Sequence, residues 1–189
     1  MRVRPYRRTL PDRAARDRYD ALLDAHLAGS DERPDDVAGY LDHLASLGRF
    51  AFHGANDRYT ELRPRRPQDN REFGRQDAVY ASPDPHWAMY FALVDRANAH
   101  TLLNGSVGLG PRARTRWYRR DVRVADPALP VTTSGYLHVL PRDGFRAEPR
   151  VLGLVDLAHW VSPVPVRPLF VLAVDPATYP PAGRIRRVP

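Results

Sequence analysis

Two short stretches carry side chains suited to chemistry on a ligand. In "RFAFHGANDRYTEL" (49–62) an apolar run, Phe50-Ala51-Phe52, ends at His53-Gly54 and gives way to polar, turn-forming residues. A histidine at a strand tip can donate or accept a hydrogen bond, and a glycine without Cβ lets a ligand approach the backbone closely. The plainer account is that His53 ends a strand and Gly54 makes the turn. In "AVYASPDPHWAMYFA" (78–92) a strand bearing Tyr80 runs directly into a helix whose Ala88 and Phe91 share one face, with Tyr90 adjacent. Its Trp87 reads as helix packing. Two later stretches, "YLHVLPRDGFRAE" (136–148) and "HWVSPVPVRPLFVLAV" (159–174), follow in order.

Other chemistries lack their residues. There is no phosphate-binding G-x-x-x-x-G-K-[ST], no G-x-G-x-x-G after a strand and no G-x-S-x-G. "GSVGLG" (105–110) has no strand signal before it and no helix signal after it, and reads as a flexible loop. The seven histidines never stand four apart on a helix, so no metal site is expected. Absence of cysteine excludes disulfides, a thiol nucleophile and thiolate-bound zinc, and fits a cytoplasmic protein.

The elements that must position these residues are legible as alternating segments. Residues 1 to 10 read as a loose basic arm. Helices are expected over 11–28 and 35–47, the second with Val37, Tyr40, Leu41, Leu44 and Leu47 on one face and Gly48 as its stop. A third is expected over 83–98, with Asp84 as cap and Pro85 at the first position. Strand candidates are 49–53, 77–81, 116–124, 135–140, 151–155 and 166–175, and 63–76 and 98–115 read as long polar loops. Strands with one central helix argue for an antiparallel or mixed α+β fold.

At 189 residues the chain can form one domain, or one domain with a small appendage, and can bury a sizeable core. No apolar run is long enough for a membrane span, and the N-terminus has no apolar signal core. The formal charge is +7, and all 29 basic residues are arginine. That excess has two readings: attraction to a polyanion or phosphate-bearing ligand, or the codon bias of a GC-rich genome on a solvated surface. "RTRWYRRDVRV" (114–124) has the same double reading: Trp117 and Tyr118 stacking on bases, or a charged edge strand. The Pro-rich "SPVPVRPLF" (162–170) reads as entry into the last core strand.

In order and spacing, residues 49 to 175 resemble the ADP-ribosyltransferase superfamily of the diphtheria-toxin and poly(ADP-ribose) polymerase type. That family uses a His-Tyr-Glu set on a split, mostly antiparallel sheet. Its His lies in an H-G dipeptide closing the first core strand, and its Tyr in a strand entering a helix. His53-Gly54 and Tyr80 hold those places. The resemblance implies an α+β ADP-ribosyltransferase-like domain over 49–189, preceded by a basic and helical segment over 1–48. It implies NAD as substrate, with no metal. Gly54 would pair with the nicotinamide amide, and His53 would contact the other ribose across a cleft that Tyr80 faces. Ala88 and Phe91, beside Tyr90, would line the nicotinamide pocket, and Arg58 would bind the pyrophosphate. The family often has Ser where Ala88 stands, and Ala88 cannot hydrogen-bond the carboxamide. The family's acid falls either on His159, in "HWVS", or on Glu148, with Asp143 second to it. The implied activity is transfer of ADP-ribose to an acceptor: nucleic acid or nucleotide, protein or small molecule. The alternative is an NAD- or nucleic-acid-binding domain with impaired catalysis.

Overall fold

The N-terminal helices form where short acidic side chains cap them. Asp12 accepts from the Ala15 N–H at the start of α1 (Arg13–Leu27). Asp36 does the same for Gly39 at the start of α2 (Val37–Leu47), which stops at Gly48 in the left-handed region, φ 67°. The computed structural model describes residues 4–65, 76–109, 115–179 and 185–188. Among them lie three α-helices and eleven strands, mostly antiparallel, an α+β arrangement.

Three sheets surround the third helix, α3 (Pro85–Leu93). In the first, β5 (Thr115–Val124) lies between β1 (Arg4–Arg7) and β4 (Ala99–Leu109). Beyond β4 lies β8 (Val155–Asp156), and β11 (Arg186–Arg187) pairs parallel with β5. The second runs β10 (Phe170–Val174), β6 (Gly135–Pro141), β2 (Phe50–Ala55). The third runs β3 (Val79–Ala81), β9 (Trp160–Ser162), β7 (Arg146–Ala147). A single bridge, Phe52 to Ser82, joins the second sheet to the third.

Several expectations are corrected. Within the expected loose basic arm, residues 4–7 are strand β1 and residues 1–3 lie outside the described residues; the charges of β1 mark a sheet edge, which tolerates them. Tyr6 anchors it by donating to Asp42. The polar loop over 98–115 is largely β4, so "GSVGLG" is strand up to Leu109, with Gly110 outside the described residues. Its weak propensity is overridden by a long ladder with β5, in which Val107 stands opposite Trp117 and Ser106 opposite Tyr118. β5 is therefore flanked on both sides and is no edge strand. Residues 151–154 form a turn, and strand begins only at Val155. Of the loop over 63–76, residues 66–75 lie outside the described residues. α3 ends at Leu93, short of the expected 98, because the Asn56 amide donates to the Ala92 and Val94 carbonyls and turns the chain out of the helix.

The core does not divide at residue 48. Tyr40, Leu41 and Leu44 of α2 share one buried cluster with Phe50 and Phe52 of β2 and Trp87, Met89 and Leu93 of α3. Trp87 is buried, as helix packing requires. Its ring stacks on Tyr90 at 5.7 Å and lies 6.2 Å from Tyr118 of β5. On the opposite side Gly54 and Gly135 let β2 and β6 press against the α3 backbone.

A buried polar cluster fixes the start of α3. Asp84 caps the helix, accepts from the Tyr118 hydroxyl, and lies 3.4 Å from each of the Arg8 and Arg116 guanidiniums. His86 bridges Asp42 at 2.8 Å and the Tyr179 hydroxyl. Arg120 donates to the His86 carbonyl. With Asp84, His86 and Asp42 all sealed from solvent, this cluster ties β1, α2, α3 and β5 together.

Candidate functional site

The site is organised by the place where the sheets part. Phe52 exchanges both backbone hydrogen bonds with Ser82, at 2.8 and 2.9 Å, and pairing between β2 and β3 stops there. Two residues on, ladder alternation turns the Gly54 N–H and C=O toward the same side, where no described β3 residue pairs with them. Gly54 thus has one donor and one acceptor without a β3 partner, although the residue itself is buried.

The reason for glycine at this position is corrected. An ideal Cβ on Gly54 would lie 1.9 Å from the Ala88 carbonyl oxygen and 2.7 Å from the Ala92 nitrogen. The missing side chain makes room for α3, and a ligand can reach Gly54 only in the plane of the sheet.

His53 is half-buried and its Nδ1 lies 2.7 Å from the Tyr80 carbonyl, to which it donates. This leaves Nε2 as an acceptor. Burial holds its pKa below the usual histidine value, against the pull of the Tyr80 carbonyl, and Arg96 and Arg65 lower it further. Directly opposite on β6 stands His138, its ring 5.8 Å from His53 and edge-on. His138 Nε2 accepts from the Tyr59 N–H at 2.9 Å, so its Nδ1–H points at the His53 carbonyl, 3.2 Å away. Burial, then His53 and Arg58, lower its pKa from 6.5 to about 4.

That depression has a testable sign. The unfolded chain takes up the His138 proton near pH 6.5 and the folded one only near pH 4. The stabilisation is complete above pH 6.5 and is lost as pH falls toward 4, amounting to on the order of 2–3 kcal/mol. Urea unfolding between pH 7 and 4 should show the fall, and His138→Gln should flatten it. Equal slopes for both proteins would refute the assignment.

Tyr80 departs from expectation. Val79 and Ala81 join Ala51 in a small cluster on one face, whereas Phe52 belongs to the α3 side. Alternation therefore sends His53 to the first face and Tyr80 to the second. The two side chains do not face each other; they flank the parted edge from opposite faces and are joined through the Tyr80 carbonyl. The Tyr80 hydroxyl donates to the Gln76 carbonyl at 2.8 Å.

The helix contributes less than expected. Ala88 is buried against Gly54, and Tyr90 is buried with its hydroxyl reaching Asp121 of β5, so neither lines an open pocket. Phe91 alone of the three is half-exposed, edge-on to Trp87 at 5.2 Å. Arg58 is exposed near His138 and makes no ion pair among the described residues.

The two candidates for the third position prove to be partners. β9 lies beside β3, which places His159 opposite Ser82 on Tyr80's face. β7 lies beside β9, which places Glu148 opposite His159, its N–H donating to the His159 carbonyl at 2.8 Å. His159 Nδ1 meets the Glu148 carboxylate at 2.9 Å, and the imidazole lies 6.4 Å from the Trp87 ring. Asp143, at the turn after β6, takes no part in this pair.

Sequence reasoning missed His138, Tyr59, Arg65 and Arg96. The signal for His138 was its place amid the apolar residues of "GYLHVLP", where a polar ring needs a specific partner. No family model, curated protein or solved structure matches this chain.

Proposed function

We propose that the chain is an NAD-dependent mono-ADP-ribosyltransferase. One observation carries the reading: pairing of β2 with β3 ends at Phe52–Ser82, leaving the buried Gly54 backbone pair without a β3 partner where His53 joins the Tyr80 carbonyl. A donor and acceptor on one edge suit a carboxamide, and a tyrosine face beside them suits a nicotinamide ring. His53 Nε2, held as an acceptor, suits a ribose hydroxyl on the other side of the edge.

In the transfer, the bond between the ribose C1′ and the nicotinamide nitrogen breaks and its electron pair leaves with nicotinamide. The acceptor nucleophile bonds C1′ and gives up its proton. Positive charge grows on the ribose meanwhile, and a nearby carboxylate lowers that barrier. Here His159 holds the inner place and Glu148 stands behind it. Glu148 fixes Nδ1–H as donor, so Nε2 is available to take the acceptor's proton. Loss of direct carboxylate contact costs about 10²–10³ in rate. A second reading, ligand binding without turnover, is favoured by His159 standing where the resemblance calls for an acid.

The test has two readouts. Titration calorimetry should show NAD binding that Tyr80→Ala weakens about tenfold or more, the scale of one lost aromatic stack. Equal heats for both proteins, or none for either, refute the site. Nicotinamide release should be slow, should fall further in Glu148→Gln with NAD affinity nearly intact, and should rise in His159→Glu. Turnover surviving both Glu148→Gln and His159→Ala overturns this account of the pair.

A further inference from the structure

Most arginines with ion pairs on the described surface share an acid. Glu61 serves Arg63 and Arg167, and Asp121 serves Arg119 and Arg186. Arg58, Arg65 and Arg96 are exposed without an ion pair among the described residues, as are others such as Arg13, Arg16 and Arg18; their placement sets them apart. They gather around one place. Arg65 lies over the Tyr59 ring at 5.7 Å, and that ring lies 5.7 Å from His138, which faces His53. Arg96 lies over Phe91, also at 5.7 Å. The chain ties them together: the Arg96 N–H donates to Asn56 Oδ1 at 3.1 Å, two residues past Gly54, and the N–H of Tyr59, next to Arg58, donates to His138.

We infer that this rim of three guanidiniums interleaved with Tyr59 and Phe91 binds single-stranded nucleic acid. Phosphates lie on Arg58, Arg65 and Arg96, and a base stacks on the outer face of the Arg65 guanidinium, whose inner face covers Tyr59. Exposed guanidiniums alternating with half-exposed rings match a chain that alternates phosphates with flat bases. A strand repeats phosphate and base along its length, so it can engage all three cations and a stacking surface at once. The inference deepens the transferase reading by assigning its acceptor class, and rests on that reading for the transfer alone; binding of the strand stands without it.

The experiment is fluorescence anisotropy with a labelled single-stranded oligonucleotide of about 12 nucleotides, roughly one such binding site, without NAD. Binding should weaken with salt. Arg58→Gln/Arg65→Gln/Arg96→Gln should lower affinity about tenfold or more and make the slope of log K against log salt shallower by about 2, since each single-strand phosphate contact contributes about 0.7. Arg13→Gln/Arg16→Gln/Arg18→Gln, the same charge change on exposed α1, should lower affinity less than about threefold. Circular dichroism verifies that both triple variants fold, and each single rim variant should show part of the loss. No binding at about 50 mM salt, or equal loss in the two triple variants, overturns the inference. So does full displacement of the strand by inorganic pyrophosphate, which would make the rim a diphosphate site. Calorimetry with NAD is separate: strand binding without NAD heat removes the transferase reading and keeps this one, and the reverse result does the opposite.

Discussion

Gly54→Ala should destabilise the protein by about 3 kcal/mol or more, at the upper end of what overpacking costs. The added methyl would meet the Ala88 carbonyl oxygen at 1.9 Å and the Ala92 nitrogen at 2.7 Å. Both are backbone atoms of a helix, so no side-chain rotation relieves the clash; α3 itself must move. It is held from the other side by Trp87 against Tyr118 and by Arg120 on the His86 carbonyl. Gly135 presses on the same helix, so a shift there breaks a second close contact. Urea unfolding followed by circular dichroism measures the loss. Gly105→Ala is the control, because nothing lies within 4 Å of its ideal Cβ, and its cost should stay under about 1 kcal/mol. A Gly54→Ala protein as stable as the parent would show that helix and strand are not packed in this way.

Asp84→Asn should cost about 3–5 kcal/mol, the scale for breaking one side of a buried charge set. The asparagine can still cap α3, so lost capping, itself worth about 1 kcal/mol, is not the cause. What is lost is the anion facing Arg8 and Arg116, in a place with no solvent access. Burial alone would raise the Asp84 pKa, but Arg8 and Arg116 outweigh it and hold the carboxyl below the usual aspartate range. A depressed carboxylate stabilises the fold above its unfolded pKa and loses that contribution as pH falls through the folded value. The parent should therefore lose stability in acid where Asp84→Asn does not. Asp12→Asn, at the exposed cap of α1, should change little. Comparable losses for the two substitutions at neutral pH would rule out the buried charge as the source.

These residues show what the sequence can and cannot reveal. Caps and stops act within a few residues, so Asp84-Pro85 and Gly48 marked their helices correctly. β4 escaped because its glycines and polar residues carry no strand pattern; its partner β5 supplies the order. Gly54 was legible as a close approach, but what approaches it lies more than thirty residues away in α3. His159 and Glu148 emerged as rivals from two alignments of one pattern. Only the pairing of β7 with β9, a long-range fact, makes them a couple. His138 went unnamed because its role depends on a strand facing it across the ladder.

The place of β5 has a consequence for how the chain is made. Arg4 of β1 pairs with Tyr118, and Arg186 of β11 with Asp121. As the ribosome extends the chain at ~5–20 residues per second, β1 emerges seconds before β5 exists, and β5 then waits again for β11. During that interval a ladder of unsatisfied backbone groups is open to strands of neighbouring nascent chains. Arg119, Arg120 and Arg123 punctuate the part of β5 beyond its β1 partners, and like charges facing one another resist that pairing. The arginines of β5 therefore protect the unfinished chain before they hold the finished one.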